Sequence, residues 1–253
     1  MSKANAACAE SVQSVLDWMA TEEYKEKNFA REALVINPAR TCQPFGAMLC
    51  ALGIDGCLPF LHGSQGCAAY FRSCLTRHVR EPIPMVSDSM TEDAAVFGGQ
   101  ANLIEGLKNA YATYKPSIMA MFSSCMAEVI GDDMKSFVQN ARNQGAIPED
   151  FPIAIANTPS FTGSHITGFD NMLKGLLQSL ADPRHGKWTN GRLYVVPGFD
   201  LYPANLREYR RMISAMGIYM TMLPDFTEVL DSPNTGEYKM YQPGTPMAEL
   251  ADA

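Results

Sequence analysis

From Pro38 onward the chain repeats one pattern: a short apolar run, a turn of small residues, then apolar positions recurring at helical spacing. Residues 57–61 (CLPFL) lead into HGSQG and then CAAYFRSCLTRHV. Residues 117–122 (SIMAMF) lead into SSC and then MAEVIGDDMKSFVQNARNQG. Residues 151–156 (FPIAIA) lead into NTPSFTGSH and then ITGFDNMLKGLLQSLA. Residues 193–196 lead into PGFDLYPA, then NLREYRRMISAMG and a second strand-like run, IYMTML. Strands alternating with helices of this length predict βαβ units and a mostly parallel sheet. In such sheets ligands bind at the carboxyl ends of the strands, beside helix N-termini.

Ahead of this pattern, residues 9–33 read as helix, with Thr21 as an N-cap inside it and Asn37-Pro38 interrupting its far end. Apolar positions are sparse there, so this arm is expected to lie against something else. A polar, turn-rich stretch at 183–192 (PRHGKWTNGR) marks a boundary. Beyond it two strand candidates and one helix precede a polar tail at 224–253, too little to bury a sheet. The expected fold is therefore α/β. A helical N-terminal arm covers 1–37, a Rossmann-like parallel-sheet domain 38–190, and the start of a second, incomplete α/β domain 191–253. On this expectation the chain is a fragment of a longer protein.

Composition narrows the function classes. The chain is 47% hydrophobic and 19% charged with a net charge of -7, which argues against a phosphate-binding surface and against nucleic acid as a partner. No apolar run reaches the roughly 20 residues a membrane span needs. The start, MSKANAACAESVQ, has no apolar signal core, so a cytoplasmic protein without a membrane partner is expected. Seven cysteines in such a chain are not expected to form disulfides.

The chemistry concentrates in 42–67, CQPFGAMLCALGIDGCLPFLHGSQGC. Cys67, Cys125 and Ser160 each fall in a turn after a predicted strand, at or before a helix start. Cys42 sits comparably, two residues before Pro44. Free helix N–H groups favour a thiolate at such places, and thiolate is the form that binds iron. Gly63 and Gly66 would let the backbone approach a bulky inorganic ligand closely. Three scattered cysteines differ from a compact zinc ribbon and fall one short of four thiolates, so a partner would supply the rest. Buried structural thiols account for the same residues equally well. GSQGC has the outline of a nucleophile elbow but lacks a strand-end His and Asp to complete it. There is no GxxxxGK[ST] loop, so nucleotide hydrolysis is assigned to another protein.

INPARTCQPFGAMLCALG, HGSQGCAAYFRS, VSDSMTEDAAVFGGQ, SCMAEVIGDD and NTPSFTGSHITGFDNM resemble, in order, the β subunits of the molybdenum–iron protein of nitrogenase (dinitrogenase). The resemblance runs from about residue 15 to the end and reaches about the first half of that family's chain. It implies that Cys42, Cys67 and Cys125 ligate the P-cluster, an 8Fe-7S cluster shared with the α subunit. Ser160 would add a ligand when the cluster is oxidised. The implied activity is nitrogenase: an iron protein docks, hydrolyses ATP and passes electrons through the P-cluster to a cofactor in the α subunit, where dinitrogen becomes ammonia. The implied partners are the α subunit, a second β subunit in an α2β2 assembly, and the iron protein. A cofactor-assembly scaffold shares the fold but typically lacks cysteines at the positions of Cys42 and Cys125. The remaining alternative is a non-catalytic fragment with structural thiols.

Other positions carry two readings. Phe97 is either a core aromatic or, by the resemblance, part of the docking surface for the iron protein. Arg80 and Glu81 form a surface pair or, by the resemblance, help hold a cation between β subunits. Ser64 is expected to cap a helix, although it and Tyr70 could hydrogen-bond near the cluster. His62 is expected to support its turn through a backbone hydrogen bond, and Asp132 and Asp133 to be solvated helix residues. His78, His165 and His185 are expected to be ordinary, and Cys8, Cys50, Cys57 and Cys74 to be thiols of the fold.

Overall fold

The structure, a computed structural model, describes residues 12–24, 41–77, 83–181, 192–230 and 239–251. In chain order its elements begin with α1 (Val12–Met19), α2 (Gln43–Leu52), β1 (Cys57–His62), α3 (Gln65–Thr76) and β2 (Val86–Ser87). There follow α4 (Glu92–Phe97), α5 (Gln100–Tyr114), β3 (Ile118–Ser123), α6 (Cys125–Ile130), α7 (Met134–Asn143), β4 (Ile153–Ala156) and α8 (His165–Leu180). The last are β5 (Arg192–Val195), α9 (Pro203–Ala215), β6 (Tyr219–Met222) and α10 (Met247–Ala251).

β1 and β3 are buried at all six of their positions, which requires a sheet covered on both faces. The sheet is parallel, in the order β2-β1-β3-β4. Successive side chains of a strand point to opposite faces, and here the two sets enter different cores. Leu61, Ile118, Ala120, Phe122 and Ala154 pack with α2, α3 and α8. Leu58, Phe60, Met119, Met121 and Ile153 pack with α5 and α7. Phe60, Leu61 and Phe122 are at most 1% exposed, and each contributes roughly 2 kcal/mol by burial.

On the first face α2 and α8 cross at backbone contact. A Cβ on Gly46 would lie 1.7 Å from the His165 carbonyl oxygen, and one on Gly168 1.9 Å from that of Gln43. Only glycine permits this approach. It brings the start of α2 against the start of α8.

Several elements differ from the sequence expectation. The single helix expected over 126–145 is two, because Gly131 turns left-handed (φ 79°) to end α6 and Asp133 starts α7. The Asp133 carboxylate accepts from the backbone N–H of Lys135 at 3.1 Å and Ser136 at 3.2 Å, so it caps a helix and is not merely a solvated residue. α4 and α5 were not expected, nor was β2, whose two residues are too few to show a period. The stretch after 223 is not simply a polar tail. Phe226, Val229 and Leu250 join the core on the α2–α8 side, and Gly53 O accepts from Thr245 N at 2.8 Å.

β5 and β6 pair in parallel with each other alone among the described residues. In the N-terminal arm, Thr21 Oγ1 accepts from Tyr24 N at 3.2 Å, as an N-cap does. α1 forms the described part of the arm with this cap, and residues 1–11 and 25–37 lie outside the described residues. So do Cys8, His78, Arg80, Glu81 and His185. No helix among the described residues is long and apolar enough to cross a membrane.

Candidate functional site

Three adjacent parallel strands end on one edge of the sheet, and each delivers one of the residues singled out from the sequence. Cys67 is the third residue of α3, which follows β1. Cys125 is the first residue of α6, directly after β3 and Ser124. Ser160 sits in the turn between β4 and α8. Cys42, immediately before α2, reaches the same edge through the α2–α8 crossing. There His165 N donates to Thr41 O at 2.9 Å and Thr41 N to His165 Nδ1 at 3.2 Å.

The four side chains influence one another in sequence. The Ser160 hydroxyl and the charge of Cys67 both act on the Cys42 thiol, and Cys125 acts on Cys67. Cys42 and Cys67 are half-buried and Cys125 is exposed; none is in a disulfide. Burial raises the Cys42 thiol above its ordinary value, and the nearby Phe45 N–H and Ser160 hydroxyl offset this only in part. Cys67 is raised as well, by burial first and then by Cys125. At Cys42 desolvation thus outweighs the helix-start N–H of Phe45.

Two side chains that sequence reasoning missed hold the Ser160 turn in place. Gln43 is 2% exposed, and its amide donates to Pro159 O at 3.0 Å and also to Thr162 O. Glu128, one turn along α6 from Cys125, accepts from Asn157 Nδ2 at 2.8 Å and from Ser123 Oγ. Thr158 N donates to Ser123 Oγ at 2.8 Å. Ser160 is thus fixed to the helix of Cys42 on one side and the helix of Cys125 on the other. The Gly63 expectation also changes: a Cβ there would meet Ser124 Oγ at 1.9 Å, so its close approach is to the β3 end. Gly66 meets only Ser64 Oγ, at an ordinary 3.6 Å.

A profile of the nitrogenase component 1 type oxidoreductases matches residues 42–253, which include all four residues and the whole sheet. The chain belongs to that family. The nitrogenase molybdenum-iron protein beta chain of Rippkaea orientalis is 57% identical over 247 residues, covering 98% of this chain and 48% of that one. The corresponding chain of Azotobacter vinelandii is 52% identical over 249 residues, covering 96% of this chain and 47% of that one. A solved nitrogenase structure, "Nitrogenase Cp1 at pH 6.5", superposes with a TM-score of 0.81 at 47% identity, over 88% of this chain and 48% of that one. The chain spans about half the length of the curated relatives it matches.

In this nitrogenase-family chain Phe97 ends α4 and is 87% exposed, which rules out a core role. Tyr70, on the helix of Cys67, is 65% exposed and has Cys74 beside its hydroxyl. Val129, four residues after Cys125, is 72% exposed, and Phe161, next to Ser160, is 48% exposed. Ser64 caps α3 by accepting from Gly66 N at 3.3 Å. Cys50 and Cys57 are buried, and burial raises both thiols. Two buried hydroxyls, Thr41 Oγ1 and Ser124 Oγ, flank Cys42 and Cys125 without a hydrogen-bond partner among the described residues.

His62, at the end of β1, does not bond to backbone as expected. Its Nδ1 faces Asp88 and its Nε2 lies 3.0 Å from Asp132, with the His62 and Asp88 side chains 0% exposed and that of Asp132 6% exposed. Asp132 is therefore a buried partner and not a solvated residue. Carboxylates only accept, so both are satisfied when both ring nitrogens carry hydrogen. Burial opposes that charge, but Asp88 and then Asp132 outweigh it and raise the His62 pKa above 6.5. A raised folded-state value contributes stability that is full below about 6.5 and is lost as pH rises through the folded value. In denaturant titrations from about pH 6 to about pH 9, the protein should lose its stability advantage over His62→Gln as pH rises. A gap that stays constant across that range would contradict the charged pair.

Proposed function

We propose that this chain corresponds to the N-terminal half of a dinitrogenase β subunit, and that Cys42, Cys67, Cys125 and Ser160 hold one side of a P-cluster shared with the α subunit. The observation that carries this reading is the gathering of those four residues at one edge of the sheet, in a chain of this family. The donor set fits such a group better than a lone ion. No three His, Cys, Asp or Glu side chains among the described residues close around a single ion position. A cluster presents several irons, so sulfurs within one another's reach that do not close on a single point can each take one.

When bound, the cluster would supply electron storage and relay between the iron protein and the cofactor of the α subunit. The chain's own residues set the terms. Cys42, Cys67 and Cys125 must each release a proton to bind iron, so loading is pH-dependent. Ser160 is a poor donor until deprotonated, and its binding would couple electron loss to proton loss at one fixed oxygen. Strand-end and helix-start backbone keeps these donors from rearranging, which favours fast electron transfer. The exposed Tyr70, Val129 and Phe161, on the same elements, offer apolar surface for the α subunit. Phe97 is assigned to docking of the iron protein, which would hydrolyse ATP and donate the electrons for reduction of dinitrogen. Arg80 and Glu81 are assigned to a cation between β subunits of an α2β2 assembly.

Anaerobic purification of the full-length chain carrying this sequence, with and without its α partner, tests the shared site. Iron should accompany the pair and be absent from the lone chain. An assembled pair free of iron–sulfur absorption would sink the proposal.

A further inference from the structure

The structure assigns a positioning role to His62, Asp88 and Asp132: they lock the turn that leads to Cys67 onto the turn that carries Phe97, so that the two move as one body. The inference rests on the roles proposed above for Cys67 and Phe97.

Gly63, the residue after β1, opens the turn into α3 and is held on both sides. Its N–H donates to Asp88 Oδ1 at 2.9 Å, and its carbonyl accepts from Met90 N at 3.0 Å and Ser87 Oγ at 3.1 Å. Its φ of 151° and the contact with Ser124 leave it no other residue type and little room to shift. At the other end, Gly99 follows Phe97 and Gly98, and its N–H donates to Asp132 Oδ2 at 3.0 Å. A Cβ on Gly99 would lie 2.7 Å from both Asp132 Oδ2 and His62 Cε1, so this turn sits directly on the pair.

The His62 ring bridges the two carboxylates. Every link from Gly99 to Gly63 is thus a hydrogen bond to a carboxyl group in a buried or part-buried setting, where such bonds are strong and directional. Asp132 is also tied to the helix of Cys125, because the N–H groups of Gly131 and Asp132 both donate to Ala127 O at 3.1 Å. A displacement at Phe97 therefore reaches two candidate ligands through one carboxylate. Burying an ion cluster is rarely better for stability than apolar packing. A place between two functional turns gives this one a geometric use instead.

The test is hydrogen exchange by mass spectrometry on the full-length α2β2 protein, with the iron protein held docked by a non-hydrolysable ATP analogue. Docking should slow exchange in peptides covering 95–103 and 62–70. In Asp132→Asn, slowing at 95–103 should persist while slowing at 62–70 falls about fivefold or more. His62→Gln should behave alike. Asp133→Ala removes only the α7 cap and should keep slowing in both peptides. Wild-type slowing of both peptides in Asp132→Asn and His62→Gln, or the same loss in Asp133→Ala, overturns the inference. If docking leaves 95–103 unchanged in the wild type, the assignment of Phe97 fails and the inference with it. Iron content, measured alongside, reports on Cys67 separately: full iron in Asp132→Asn with none in Cys67→Ala leaves the cluster proposal standing whatever the exchange shows.

Discussion

Replacing Cys67 or Cys125 by alanine should abolish iron retention in the assembled protein, whereas Cys57→Ala should leave it intact. All three are free thiols, so composition does not separate them. Position does. Cys57 starts β1, is 2% exposed and packs in the core on the α2–α8 side. Burial holds its thiol protonated far above its ordinary range, where it is no ligand. Its loss removes one small apolar contact, on the order of 1 kcal/mol. Cys67 and Cys125 instead stand at helix starts on the sheet edge, within each other's electrostatic reach. Without either sulfur the cluster would lose a bond to an iron. Cys42→Ala should follow the same pair. Iron per tetramer and the iron–sulfur absorption of anaerobic preparations read the difference. Equal iron in the Cys57, Cys67 and Cys125 variants would refute the ligand assignment.

How much of this was legible in the sequence depends on how far apart the interacting residues lie. The apolar runs at 57–61 and 117–122 announced strands because both faces of the sheet are covered and no polar position interrupts them. A cysteine placed just past such a run is visible within one window of sequence, and so Cys67 and Cys125 were singled out. Gln43 and Pro159 are 116 residues apart, and His62 and Asp132 are 70 apart. A glutamine and a histidine with partners that distant carry no local mark, so the clamp on Ser160 and the buried ion cluster were missed. The split of α6 from α7 was legible in principle. Gly131 followed by Asp132 and Asp133 is a stop signal next to a start signal, but the apolar period on either side masked it. The upward pull on the Cys42 and Cys67 thiols was not legible for another reason: helix N–H groups can be read from sequence order, whereas desolvation depends on what packs above the sulfur.

The α2–α8 crossing decides whether Cys42 reaches the site at all. Gly46→Ala and Gly168→Ala should each destabilise the protein by about 3 kcal/mol or more, since overpacking against backbone has no flexible end to yield. The added methyl would meet a carbonyl oxygen at 1.7 Å in the first case and 1.9 Å in the second. Gly145 is the matching control. Its φ is 69° and nothing lies within 4 Å of a Cβ built there, so alanine at 145 meets only backbone strain, about 1 kcal/mol. Thermal or denaturant unfolding of the three variants compares a steric clash with a conformational one. If Gly46→Ala and Gly145→Ala unfold alike, the helices are not in backbone contact as seen. The clash also has a chemical readout. To relieve it α2 must lift from α8, which parts Gln43 from Pro159 and Thr162 and draws Cys42 away from Ser160. Variants that still fold should therefore hold iron less tightly than Gly145→Ala, although neither glycine is a candidate ligand.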